Sequence, residues 1–435
     1  MATAHSNLRR AGPGAAFTVR LEGKRLPWQV AEEMIPRLKK QNISKSSAFV
    51  IYEAYKDFQS GIKYLNDVST QAPPDMPMAK TIFGWPGVLD LISNAILQDP
   101  RCFHISDGRF QQQMNMQIQM ELTRTRSPQN LQDFDSFVAD IRLLHAEGGY
   151  NLSRLAFSTP VRVLLCRAYM ESNISTDWVK GVGLYDHILK LLRWGREEWK
   201  DVPDEQRGPV LKGTFVNGVR MLRLDAYMQG HAKDNKSPTF TLDGLLQEAD
   251  SLLEDVRANP PRTCMPGFNL AFGDYIAANA LAMKGYYWNH KTREVRYETK
   301  DDLDRGIEQF KMSASFYSEA ASMLPEDEEK HAMYKKCALD QLFVAGAPLF
   351  VTLPLLEGLW PSVIVSQEIW QFGQASTGTN GKLYDYLEEF HTDMKTALKN
   401  DAVNMWCSAA PAASDPNSVF GDAMKFVTTG PSKYM

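Results

Sequence analysis

The chain has 435 residues, and 48 Lys and Arg against 52 Asp and Glu give a formal net charge of −4. This balance excludes a strongly basic nucleic-acid-binding protein. Hydrophobic residues make up 44% of the chain, which is enough to bury sizeable cores, and the length is typical of two or three domains. With 28 Gly and 23 Pro, the sequence is neither collagen-like nor dominated by low-complexity segments.

The N-terminal residues and the cysteines indicate a reducing compartment. No apolar run follows Arg9 and Arg10, so we expect no secretory signal and an intracellular protein, cytoplasmic or nuclear. All five cysteines stand alone, without a Cys-x-x-Cys pair, which favours free thiols over a disulfide framework or a zinc finger. They are Cys102, Cys166, Cys264, Cys337 and Cys407.

Helical periodicity is the dominant pattern along the chain. Apolar residues recur every three or four positions, as in Ile51, Tyr55 and Phe58, which places them on one face of a helix that needs a neighbour. In chain order, we predict helices around 51–65, 86–98, 108–124, 128–145, 153–171, 176–199, 211–226, 242–256, 268–289, 302–323, 327–343 and 383–400. The pattern predicts an all-α protein.

One apolar stretch, from Val344 to Val365, has about the length of a membrane-spanning helix. Pro348, Pro354 and Pro361 interrupt it, and Glu357 would be costly in lipid. We therefore expect a bent segment that packs in the protein core, with membrane contact as the alternative.

The spacing of the later helices predicts an array of helical hairpins. From about residue 204, helix centres fall near 217, 248, 279, 313 and 336, roughly thirty residues apart. We predict a flexible segment over 1–25, a helical region over 26–200, helical repeats over 201–345 and a C-terminal helical region over 346–435. Region 26–200 is either a separate domain or the first turns of one continuous solenoid.

One segment carries a family resemblance. Ser313-x-x-x-Tyr317-x-x-Ala320-x-x-x-x-Pro325 resembles the second helix and closing proline of a tetratricopeptide repeat (TPR). The preceding helix is rich in small residues as far as Gly285, as in the first helix of such a unit, although a polar insertion separates the two helices. The resemblance covers about 240–345 and implies stacked helical hairpins, a TPR-like solenoid.

A looser resemblance involves two segments around residue 200. The sequences Trp199-Lys-Asp-Val-Pro and Thr214-Phe-Val-Asn-Gly-Val-Arg-Met-Leu-Arg-Leu are similar to helical regions of fungal proteins that carry a MYND zinc finger. The cysteine pairs of that finger are missing here. No function of the finger is therefore expected of this chain.

The TPR resemblance implies a non-catalytic protein that binds a peptide or protein partner in a concave groove. We expect Asn279, Lys284 and Tyr287, on an inner helix, to contact the partner. The chain has no nucleophile elbow, phosphate-binding loop or dinucleotide fingerprint, and no stripe of basic residues for nucleic acid. We expect no cofactor, no nucleic-acid partner and no stable membrane insertion.

A helical enzyme is the alternative hypothesis. Glu328-x-x-His331 and Glu388-x-x-His391 each place two ligands on one side of a helix, as in di-iron carboxylate oxidases and oxygenases. Such a site would hold iron or manganese and needs further carboxylates on facing helices. The same residues can equally be solvated or helix-capping side chains. A second form of this hypothesis places an apolar, lipid- or terpenoid-like substrate near residues 344–365.

Overall fold

The structure, a computed structural model, describes residues 25–71 and 81–371 except positions 106, 295 and 297. Nearer the C-terminus it describes 391–392, 395–396, 398–399 and 405, with the backbone of 408–411 and 424–427. The described part is mostly helical, which confirms the all-α prediction. Its strands are two short antiparallel pairs, β1 (Ser69–Gln71) with β2 (Thr81–Phe83), and β3 (Ser408–Pro411) with β4 (Met424–Val427).

Between residues 47 and 344 the helices follow the predicted order, and most of the predicted helix 383–400 lies outside the described residues. The described helices are α1 (Pro27–Lys40), α2 (Ser47–Asn66), α3 (Val88–Gln98), α4 (Phe110–Arg124), α5 (Phe134–Met170), α6 (Trp178–Glu198), α7 (Gly213–Lys233), α8 (Leu242–Ala258), α9 (Pro266–Asn269), α10 (Tyr275–Arg293), α11 (Lys300–Met323), α12 (Glu329–Val344) and α13 (Leu349–Ile369). A 3-10 turn, Pro100–Cys102, follows α3, and a π-helical turn, Leu270–Asp274, joins α9 to α10.

Helices that are neighbours in sequence are mostly neighbours in space. Helix α10 packs against α8 and α11, α11 against α12, and α12 against α13. The α10–α11 contact is close, since a Cβ atom on Gly285 would lie 2.8 Å from the Tyr317 ring. The Ser313 hydroxyl donates a hydrogen bond to the Gly285 carbonyl across the same contact, at 2.7 Å. One continuous apolar core runs from α2 to α12.

Helices α1 and α13 also meet. A second apolar core contains Trp28 and Met34 of α1 together with Ile369 and Trp370 at the end of α13. The backbone N–H of Arg25 donates to the Gln371 side chain at 2.8 Å. The described helices therefore return to their starting point, with α13 against α1.

Helix α13 contains the apolar stretch noted in the sequence. It stays helical through Pro354 and Pro361, and its length and composition are those of a helix that could cross a membrane. One face is buried, while Phe350 and Ile364 on the other are 43% and 57% exposed. Helix α13 is thus only half embedded in the core.

Candidate functional site

A groove with a volume of about 810 Å³ lies where α1, α11, α12 and α13 meet. Its floor is apolar and combines side chains from distant parts of the chain. These are Met34 and Leu38 of α1, Leu324 after α11, and Leu355 and Val365 of α13. An open depression of this size with an apolar floor can take apolar side chains of a ligand.

Charged side chains line the groove as well. Arg37 of α1 pairs with Glu368 of α13 across it, with Nη2 and Oε1 3.1 Å apart. Lys45, in the loop after α1, donates from Nζ to the Ser322 carbonyl at 3.3 Å. Cations and carboxylates therefore border the apolar floor.

Lys335 of α12 is the partly buried cation of the groove. Its Nζ donates to the Gly358 carbonyl at 3.1 Å and to the Ser362 hydroxyl at 2.8 Å, both on α13. Burial lowers the pKa of Lys335, and the nearby Glu326 carboxylate offsets part of that effect. The ammonium group is thus held by neutral acceptors.

His331, one turn before Lys335 on α12, lies in the wall of the groove and is 6% exposed. Its Nδ1 lies 2.9 Å from the Ala321 carbonyl, so Nδ1 must be the donor. Burial lowers the pKa of His331, and the Lys335 cation lowers it further. The imidazole is therefore neutral at pH 7.

A buried polar network lies beside the groove. The Arg101 guanidinium binds both carboxylate oxygens of Glu328, at 2.6 and 2.9 Å, and also both oxygens of Asp99. The Tyr275 hydroxyl donates to Glu328 at 2.7 Å. Burial acts to raise the pKa of Glu328, but the charge and hydrogen bonds of Arg101 outweigh it and the pKa is lowered. The Trp370 ring covers the guanidinium at 3.7 Å.

Asp327 extends this network to the groove. Its carboxylate accepts hydrogen bonds from the Ser47 backbone N–H at 2.7 Å and the Ser46 hydroxyl at 2.5 Å. Its backbone carbonyl accepts a hydrogen bond from Trp370 Nε1 at 3.0 Å. Burial raises the pKa of Asp327. The segment before α12 therefore ties the start of α2 to the end of α13.

We call Asp99, Arg101, Asp327, Glu328 and Trp370 the joint. These five residues connect the 3-10 turn after α3, the start of α12 and the end of α13. Trp370 of the joint also lies in the apolar core in which α1 and α13 meet, two helices that line the groove.

The residues predicted as metal ligands lie in different surroundings. Glu328 binds Arg101, whereas His331 lies in the groove wall. Glu388 lies outside the described residues, and His391 Nε2 is 3.7 Å from Glu357 Oε1. Within the described part of the chain, no three His, Cys, Asp or Glu side chains form a group that could hold a metal. The iron or manganese site stays a prediction.

The three residues predicted to contact a partner each bind an aspartate of a neighbouring helix. The pairs are Asn279 with Asp225 at 2.9 Å, Lys284 with Asp250 at 2.7 Å and Tyr287 with Asp243 at 3.2 Å. Asn279 and Tyr287 are buried, and Lys284 keeps 18% of its side chain exposed. None of the three lines the groove described above. Their contact with a partner stays a prediction.

Comparison with known protein families, curated proteins and solved structures finds no match to this chain.

Proposed function

We propose that the protein is a non-catalytic, intracellular interaction module that binds a peptide or protein segment in the groove between α1, α11, α12 and α13. The groove itself carries the proposal, since it offers an apolar floor beside charged side chains on helices. Peptide recognition commonly uses apolar anchor residues in a groove with polar contacts at its rim.

The contacts around the groove support a preformed binding surface. Asp327 and Ser46 line the groove and are joined by a hydrogen bond. The backbone carbonyl of Asp327 also accepts a hydrogen bond from Trp370. Side chains that are already held by neighbours lose little freedom when a ligand arrives. In a preformed groove, less conformational entropy is lost on binding, so more of the favourable interaction energy contributes to affinity.

We assign the helices to a TPR-like repeat arrangement. The sequential packing of α10, α11 and α12 and the close approach at Gly285 support this assignment. Small residues at such a contact allow two helices to pack as a hairpin, which is the unit of a solenoid.

The proposal is tested by selecting peptides from a displayed random library on the purified full-length chain. Affinities of the selected peptides are then measured by fluorescence anisotropy. Val365→Glu places a carboxylate on the apolar floor, so we expect at least about tenfold weaker binding. Ile364→Glu is the matched control, because Ile364 is the adjacent residue, is 57% exposed and does not line the groove.

Lys284→Glu belongs in the same assay because it tests the surface predicted from the sequence. If Lys284→Glu leaves the peptide affinity unchanged and Val365→Glu lowers it, the groove is supported as the binding site. Loss in Lys284→Glu with full binding in Val365→Glu moves the partner to the surface around Asn279, Lys284 and Tyr287. A failure to select any peptide counts against the proposed function.

A further inference from the structure

The charged groups of the groove differ in the contacts that they already make. Arg37 and Glu368 form an ion pair, and both oxygens of the Asp327 carboxylate accept hydrogen bonds, from Ser46 and Ser47. These groups have their partners before a ligand arrives. They therefore provide little further attraction for a charged ligand.

In the part of the chain that the structure describes, Lys45 and Lys335 donate hydrogen bonds to neutral acceptors only. Within the described residues, neither ammonium group lies in an ion pair. An ammonium group has three N–H donors, and the acceptors that these two lysines use are carbonyl and hydroxyl oxygens of Ser322, Gly358 and Ser362. Each lysine keeps at least one donor for another acceptor.

A ligand that covers the groove would remove water from Lys335, which is already partly buried. An ammonium group that loses water without gaining a counter-charge is costly. Glu326 lies on the same groove and acts to raise the pKa of Lys335, but it is exposed and forms no ion pair with Lys335 within the described residues. A ligand carboxylate beside Lys335 would offset this cost, whereas a neutral or basic group there would not.

From these contacts, and resting on the proposed function, we infer that the groove takes an acidic segment. An Asp or Glu carboxylate of this segment forms an ion pair with Lys335, and Lys45 provides a second cation on the same groove. An apolar residue beside that carboxylate occupies the floor at Leu355 and Val365.

The probes are fluorescein-labelled synthetic peptides of equal length that share two leucines, four positions apart. Each remaining position is filled in turn by Glu, Gln or Lys, and binding to the full-length protein is followed by anisotropy. We expect the best Glu peptide to bind about tenfold more tightly than its Gln analogue, because the carboxylate pairs with a partly desolvated ammonium group. The Lys analogue should bind most weakly.

Variants of the protein assign this preference to named residues. Lys335→Gln should reduce the Glu-over-Gln preference to within about twofold, while Lys335→Arg keeps the charge and should keep it. Lys45→Gln, an exposed position, should reduce it in part. Lys311→Gln is the matched control, since Lys311 lies on α11 but does not line the groove.

Each outcome separates this inference from the proposed function. A Glu preference that survives both Lys335→Gln and Lys45→Gln overturns the inference. If Glu and Gln peptides bind equally well and Val365→Glu abolishes the binding of both, the inference is also overturned, but the proposed function stands. If no peptide of any set binds, the proposed function fails and the inference fails with it.

Discussion

At the scale of single residues, a cluster of two histidines and a tyrosine joins the ends of α7 and α10. His231 Nδ1 lies 2.9 Å from the Tyr286 hydroxyl, and the Tyr286 and His290 rings are 4.1 Å apart. Burial lowers the pKa of His290 to about 4, assisted by the positive charge of Arg293 and by His231. His290 is therefore neutral in the folded protein at pH 7.

This cluster predicts a pH dependence of stability. Between pH 6.5 and about 4 the unfolded chain binds a proton at His290 that the folded protein does not, so stability falls as the pH falls through this range. The loss due to His290 is about 1–3 kcal/mol, and His290→Gln should remove it. Urea unfolding of both proteins from pH 7 to pH 4.5 measures the difference. Parallel pH profiles would contradict the assignment to His290.

At the scale of helices, much of the fold could be predicted because apolar periodicity depends only on local sequence. The prediction of separate helices over 128–145 and 153–171 agrees with the structure, because the backbone leaves helical geometry at Gly149, with φ of 67°, and this kink divides α5 into two helices. The small residues before Gly285 indicated close helix packing, and Gly285 does meet Tyr317. Which helices would face each other further along the chain could not be read from periodicity.

The α10–α11 contact gives a prediction with a matched pair of glycines. Gly285→Ala should destabilise the protein by about 1–3 kcal/mol, because the new methyl group would overlap the Tyr317 ring and neither helix can move easily. Gly183→Ala, on α6 with no atom within 4 Å of the new methyl group, should stabilise it by about 0.5–1 kcal/mol. Thermal and urea unfolding measure both. A stabilising Gly285→Ala would mean that the contact is looser than described.

At the scale of the whole molecule, the candidate site could not be predicted because it joins residues that are far apart in the sequence. Arg101 and Glu328 are separated by 227 positions, and Trp370 and Ser47 by 323. The sequence showed that Glu328 lies at a helix start, where a carboxylate has a local explanation, and gave no sign of its partner. The groove was missed for the same reason, since the residues that line it range from Met34 to Glu368.

We expect the joint to contribute both to the stability of the folded protein and to the shape of the groove. Arg101→Met tests both contributions. The substitution leaves the buried Glu328 and Asp99 carboxylates without their cation, so the free energy of unfolding should fall by about 3–5 kcal/mol. The Arg101–Trp370 contact is lost as well, which should loosen α13 against α1 and weaken binding of the selected peptides.

Arg142→Met is the control, because Arg142 forms its ion pair with Glu198 at the surface, away from the groove, and should change neither property measurably. Urea unfolding and anisotropy on the same preparations give both readouts. An Arg101→Met protein that remains folded and binds peptides with full affinity would show that the groove keeps its shape without the joint. If affinity falls while the protein is still folded, the joint contributes to the shape of the groove, because no groove-lining side chain has been changed.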